Sequence, residues 1–241
     1  MTSPIVYSSD PVALFGGAGA TLHDVAEVQA LAGPCVAADG GARIALEAGI
    51  ALDAVIGDFD SVAPEVLRQV PADRQHHIAE QDSTDFDKAL RHIATPVVLA
   101  VGFLGGRVDH QLACFHVLVR YADKPCILVG QKEIVFLCPP RLELDTQPGD
   151  VVSLFPLAAV EGTSSGLRWP IDGLAFHPLS TIGTSNAAEG AVTLTMSEPA
   201  MIVVAPRRCL HVLTRGLVQG SGSQAGRWPA RAGQYIVLPQ S

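Results

Sequence analysis

Along the first part of the chain, short continuous apolar runs alternate with stretches of 3.6-residue period, and glycines or acids stand at nearly every join. Val12–Phe15 is such a run, closed by Gly16-Gly17-Ala18-Gly19; Thr21 then opens a helical pattern carrying Leu22, Val25, Val28 and Leu31 on one side. Cys35–Ala38, Ala54–Ile56 and Pro96–Val101 repeat the strand pattern, with a more polar strand at Gln75–Ala79 and further strands at Cys126–Gly130 and Glu133–Leu137. Helices are expected over Ala42–Ala48, Pro64–Gln69, Asp85–His92 and Leu112–Val119. Strands alternating with helices, with the chemistry-bearing clusters after the strands, predict a parallel α/β sheet whose site lies along its C-terminal edge.

From Leu142 onward no helical period stands out. Short runs at Val151–Phe155, Ala191–Met196, Met201–Val204, Leu210–Leu213 and Tyr235–Leu238, separated by Gly, Pro and Ser turns, predict an all-β domain. Pro139-Pro140 marks the change, dividing an α/β domain at 1–139 from a β domain at 140–241.

Composition narrows the partners. Apolar residues make up 48% of the 241, enough for a substantial core, and 16 Lys and Arg against 24 acids leave a formal charge of −8. That balance argues against a nucleic-acid surface, which needs a basic stripe, so a polyphosphate would have to be met by a few local cations and a divalent metal. The sequence has neither an apolar run long enough for a membrane span nor a signal-peptide pattern. The five cysteines form no CxxC pair; four of them, Cys35, Cys114, Cys126 and Cys138, read as reduced, buried thiols, and a cytoplasmic location is expected.

Four stretches carry candidate chemistry. Asp39-Gly40-Gly41 ends a strand with a carboxylate and lets a ligand approach the backbone. In Gly57-Asp58-Phe59-Asp60-Ser61, extended geometry would turn Asp58 and Asp60 the same way, a pair suited to Mg²⁺; a turn with Asx hydrogen bonds is the other reading. In Gln81-Asp82-Ser83-Thr84-Asp85-Phe86-Asp87-Lys88, Thr84 and Asp87 form a helix start. Asp85 and Lys88 then share one face, beside amides suited to an anion or as a plain surface pair. In Gly105-Gly106-Arg107-Val108-Asp109-His110, Arg107 is open to a bidentate phosphate contact or to pairing with Asp109. The Gly16–Gly19 turn matches neither the dinucleotide fingerprint nor the phosphate-loop lysine motif. Adjacent His76 and His77 suit no shared metal and read as structural or solvent-facing.

These motifs, together with Gly166-Leu167-x-Trp169-Pro170 and Gly183-Thr184-Ser185-Asn186, resemble the thiamine pyrophosphokinase (thiamine diphosphokinase) family, over nearly the whole chain and in the right order. The resemblance implies an ATP-binding α/β domain, a β-sandwich, and a homodimer with active sites between the two kinds of domain. It implies transfer of diphosphate from ATP to the hydroxyl of thiamine, giving thiamine diphosphate and AMP. By the same resemblance Asp58, Asp60 and Asp85 would hold Mg²⁺, while Lys88 and Arg107 would neutralise the triphosphate. Asp85, or Asp109 as second choice, would take the hydroxyl proton. Asp39, Gln81, Asp82, Thr84, Gly105 and Gly106 would line the nucleotide cleft, and Ser185 and Asn186 would reach thiamine across the dimer.

The chain departs from the pattern at Ala187-Ala188-Glu189, where some members carry an aromatic residue to stack on thiamine. Trp169 could serve instead, although a tryptophan in a β domain is expected in the core. A pyrophosphokinase for another hydroxymethyl heterocycle, such as a pterin, and a non-catalytic thiamine- or nucleotide-binding protein are the alternatives.

Overall fold

The computed structural model describes residues 3–220 and 226–231. In chain order come β1 (Val6–Tyr7), β2 (Val12–Phe15), α1 (Leu22–Ala30), β3 (Cys35–Ala38), α2 (Gly41–Glu47), β4 (Ala54–Gly57), α3 (Pro64–Leu67) and β5 (Gln75–His77). There follow α4 (Asp85–Arg91), β6 (Ile93–Ala94), β7 (Val98–Val101), α5 (Val108–Arg120), β8 (Cys126–Val129) and β9 (Glu133–Leu137). β1 and β6 form a small parallel pair. The others form a sheet in the order β9-β8-β7-β2-β3-β4-β5, parallel except where β9 turns back on β8.

Both faces of this sheet are covered, which is why its inner strands read as unbroken apolar runs. Alternation along each strand divides the core in two. Ala13 and Phe15 face α1, α2 and α3 through Val25, Val28, Ala42, Ala45 and Val66, whereas Val12 and Leu14 face α4 and α5 through Phe86, Leu90, Cys114 and Leu118. Thr21 caps α1, its hydroxyl accepting from the Asp24 amide at 3.2 Å while the Asp24 carboxylate accepts from the Thr21 amide at 2.8 Å. Val25 and Val28 are buried, but Leu22 stays exposed. α5 begins four residues before the expected Leu112, because its first turn forms an exposed rim and carries polar groups that mask the helical period.

The C-terminal half contributes β10 (Arg141–Leu144), β11 (Val151–Pro156), β12 (Val160–Leu167), β13 (Ala175–Phe176), β14 (Gly183–Met196) and β15 (Met201–Pro206). β15 lies between β9 and β11, so hydrogen bonding continues from the parallel strands into this half. β14 is 14 residues long; its first part pairs with β11 through an irregular register, and its remainder with β10 and β12.

Two expectations need correction. Leu210–Leu213 is not a strand but the first turn of α6 (Leu210–Gly220), which buries Leu210, Leu213, Thr214 and Leu217. That i, i+3, i+4, i+7 face is obscured by a threonine whose hydroxyl donates to Leu210 O at 2.7 Å. The half is therefore not all-β. The strand expected at Tyr235–Leu238 lies outside the described residues. All five cysteines are free and buried, the four expected to be and Cys209 as well.

Candidate active site

The order of strands reverses direction at β2: the chain winds outward through β3, β4 and β5, then returns to the other side through β7 and β8. Such a reversal opens a crevice at the C-terminal ends of the two central strands. Here the loops after β2 and β7 meet through Gly16 and Gly102, and a Cβ on either would overlap the other's carbonyl oxygen. Gly102 also has φ +85°, so no side chain is tolerated there on two counts. Beside this contact is a cavity of about 230 Å³, lined by Gly16, Gly17, Asp39, Gly40, Thr84, Asp85, Gly106 and Arg107 among others.

Four carboxylates gather on one side of it. Asp39 sits at φ +43° just past β3, is 1% exposed, and accepts from the Ser61 amide at 2.9 Å through Oδ2. Its Oδ1 is buried without any hydrogen-bond partner. Oxygens of Asp39, Asp58 and Asp60 lie within 4.8 Å of one another. The extended geometry expected for Asp58 and Asp60 is not what brings them together: Phe59 takes φ +62°, and the chain turns after Gly57 with the Asp60 amide donating to Asp58 Oδ1 at 3.3 Å. The Phe59 ring packs against His77 at 5.4 Å between centroids, and the His77 Nε2 lies 3.0 Å from Asp58 O, which gives that histidine its structural place.

Asp85 joins the group through Lys88. The Lys88 ammonium donates to Asp58 Oδ2 at 2.6 Å and to Asp85 Oδ1 at 3.4 Å, and its side chain is 1% exposed. Gln81 adds a second donor to Asp58 Oδ2 at 3.2 Å. The Lys88 hydrogen bond holds the Asp58 carboxyl below its ordinary value. Burial, with the like charges of Asp58 and Asp60 added, pushes Asp85 above its own despite Lys88. Burial likewise raises Asp39. Thr84 caps α4 from the cleft wall, accepting from the Asp87 amide at 3.3 Å. Asp82 is exposed, its amide donating to Glu80 at 2.9 Å.

Across the cleft Arg107 is exposed and pairs with Asp109 through both ends, Nε to Oδ1 at 3.1 Å and Nη2 to Oδ2 at 2.5 Å. Gly105 has φ +82°, and its amide donates to Gln111 at 3.3 Å. Two supports of the site were not read from the sequence. Glu80 ties Ser83 and Arg91 together, at 2.5 Å each. Asp87, read from the sequence only as part of the start of α4, lies on that helix's buried side and accepts from the Tyr121 hydroxyl at 2.7 Å and from Arg120 at 3.0 Å. An acid on the apolar side of a helix was the one available hint.

Ser185, Asn186 and Trp169 do not line this cavity. Ser185 is exposed at φ +63°, its amide donating to the Ser153 hydroxyl at 3.0 Å. Asn186 is buried, and its amide group is engaged with the Trp169 backbone. Trp169 itself is not in the core: it is 56% exposed, with the Arg168 guanidinium 5.7 Å from its ring. Its backbone is held from within the sheet, which leaves the indole facing out.

Comparison with known proteins fits this architecture. The thiamin pyrophosphokinase catalytic domain matches residues 27–129, and the vitamin B1 binding domain of the same enzymes matches 141–201. Thiamine pyrophosphokinase 1 of Arabidopsis thaliana is 31% identical over 156 residues, 56% of this chain and 57% of that protein. Thiamine pyrophosphokinase 1 of Oryza sativa subsp. japonica is 28% identical over 173 residues, 62% of this chain and 64% of that one. The chain thus matches less than two thirds of the length of these plant relatives. The crystal structure of thiamin pyrophosphokinase from Geobacillus thermodenitrificans superposes with a TM-score of 0.67 at 26% identity, covering 81% of this chain and 97% of that one. With both domains of one family matched in order along more than half its length, the chain belongs to the thiamin pyrophosphokinase family.

Proposed function

We propose that this protein is a thiamine diphosphokinase, transferring the diphosphate of ATP to the hydroxyl of thiamine and releasing AMP. The observation that carries this reading is the carboxylate cluster at the sheet's switch point, beside a glycine-lined cleft and across from Arg107. The cluster fits a hard divalent cation such as Mg²⁺: all its donors are oxygens, and the buried, unpartnered Oδ1 of Asp39 wants a partner. Asp39, Asp58 and Asp60 would hold the ion, with Asp85 facing the same cleft. Once bound, Mg²⁺ would offset charge on the phosphate oxygens.

The chain's own groups have distinct parts. Gly16, Gly17, Gly105 and Gly106 leave room for a polyphosphate against the backbone. Gln81, Asp82 and Thr84 shape the wall beside it. Arg107, on the cleft rim, meets phosphate oxygens by exchanging its Asp109 partner for them. Asp85 takes the hydroxyl proton; it lines the cleft, whereas Asp109 does not.

Residues 1–139 form the ATP-binding part and 140–241 the thiamine-binding part, a division supported by the two matched domains, and the change of partners along β14 supports a sandwich among the strands of the second. Ser185, Asn186 and Trp169 serve the cleft of a second copy in a homodimer. In favour of that, they do not line the cleft of their own chain, and Val108 and Leu112 on α5, with Val151 and Phe155 on β11, leave apolar surface exposed. A cytoplasmic location agrees with five free thiols. Among the described residues no helix is long and apolar enough to cross a membrane.

Purified protein given ATP, Mg²⁺ and thiamine should yield AMP and thiamine diphosphate in equal amounts. AMP formed only with another hydroxymethyl heterocycle would replace the acceptor, and no AMP with any acceptor would overturn the reading.

A further inference from the structure

We propose that Lys88 is a positioning residue that spaces the cation-binding Asp58 from its neighbour Asp85, and that it makes no contact with phosphate. The inference rests on the reading of the acidic cluster as a divalent-cation site. Asp58 comes from the turn after β4 and Asp85 from the first turn of α4, 27 residues further along. One ammonium joins them, 2.6 Å from the first and 3.4 Å from the second. Its side chain is 1% exposed, so a phosphate in the cleft could reach it only by displacing a carboxylate. Arg107, 72% exposed on the opposite rim, is under no such restriction.

Four carboxylates so close repel one another, and an internal cation lets them keep their arrangement before any metal arrives. A lysine suits the place because its ammonium is compact and has three donors pointing in different directions. Gln81 on the same Asp58 oxygen, and the Asp60 amide on the other at 3.3 Å, complete the restraint. Asp58 is thus fully oriented, while the Oδ1 of Asp39 beside it is left without a partner.

The test is binding, measured apart from turnover. Mn²⁺ uptake by the nucleotide-free full chain is followed by electron paramagnetic resonance in wild type, Lys88→Gln and Lys88→Arg, and thermal melting reports whether each variant folds. Separately, a non-hydrolysable ATP analogue is titrated in EDTA. Groups that orient a metal ligand from behind typically change metal affinity by about 10–100-fold. Lys88→Gln should therefore weaken Mn²⁺ binding at least about tenfold and leave analogue binding in EDTA unchanged. Lys88→Arg keeps the charge but not the shape, and should weaken Mn²⁺ as well; it decides the matter if the glutamine variant does not fold. Mn²⁺ binding as tight as wild type in a folded variant would overturn the inference, as would a tenfold loss of the analogue in EDTA. If wild type takes up no Mn²⁺, the cation reading falls and this inference with it; the AMP assay tests the enzyme reading separately.

Discussion

Asn186 holds the peptide of Trp169 from both sides, its Oδ1 accepting from Trp169 N at 3.2 Å and its Nδ2 donating to Trp169 O at 2.7 Å. The same Oδ1 also accepts from the Ala187 amide at 2.9 Å. A buried asparagine has thus spent its side chain on the backbone of an exposed indole. Asn186→Ala would leave these groups without partners, at a cost of about 1–3 kcal/mol. Urea unfolding should register that loss, and the KM for thiamine should rise more than kcat falls. Unchanged stability together with unchanged KM would remove Asn186 from this role.

Asp85 and Asp109 differ in what surrounds them, which separates the two candidates for proton acceptor. Asp85→Asn should lower kcat by at least about 100-fold. Asp109→Asn frees Arg107 and should lower it by less than about tenfold. Steady-state kinetics of both variants decides it; a greater loss in Asp109→Asn reverses the assignment.

Acid stability should depend on Asp24. Burial raises this carboxyl, but its hydrogen bonds with the Thr21 hydroxyl and amide, together with Arg207, outweigh burial and hold it below the ordinary 3.8. Because the folded value is depressed, its stabilisation is complete above the unfolded value and is lost as pH falls through the folded one. Melting temperature should therefore drop as pH is taken from about 5 downward, and Asp24→Asn, less stable at neutral pH, should drop less over that window. Equal slopes for the two proteins would contradict the assignment.

Thiol reactivity should be silent in the native protein. Burial pushes Cys35 up to about 11 and Cys114 up to about 12, and raises Cys126, Cys138 and Cys209 as well. With little thiolate at pH 8 and no access, a disulfide reagent should label none rapidly and all five in guanidinium. A fast-reacting thiol in the folded protein would mark a local opening.

The parallel sheet was legible because a strand buried on both faces must be apolar throughout, as Val12–Phe15 and Val98–Val101 are. The site clusters were legible because acids and glycines stand just past those strands. α6 was not, since Thr214 interrupts its apolar face and Leu210–Leu213 alone looks like a strand. β12 escaped notice because only Val160 and Leu167, at its two ends, are buried. The left-handed turn at Phe59 could not be read either, because bulky side chains seldom adopt it. Lys88 looked like a surface cation, for burial of a lysine depends on acids that meet it only in the fold.

β15 has a mechanical consequence. Its five residue pairs with β9, from Ile202–Leu137 to Pro206–Glu133, and its four with β11 stitch the end of the chain's second half into the edge of the first. A hinge between the halves would have to tear a ladder of backbone hydrogen bonds. Within the chain, then, the two halves are a single girder, and any closing over a ligand falls to the loops at the sheet's edge.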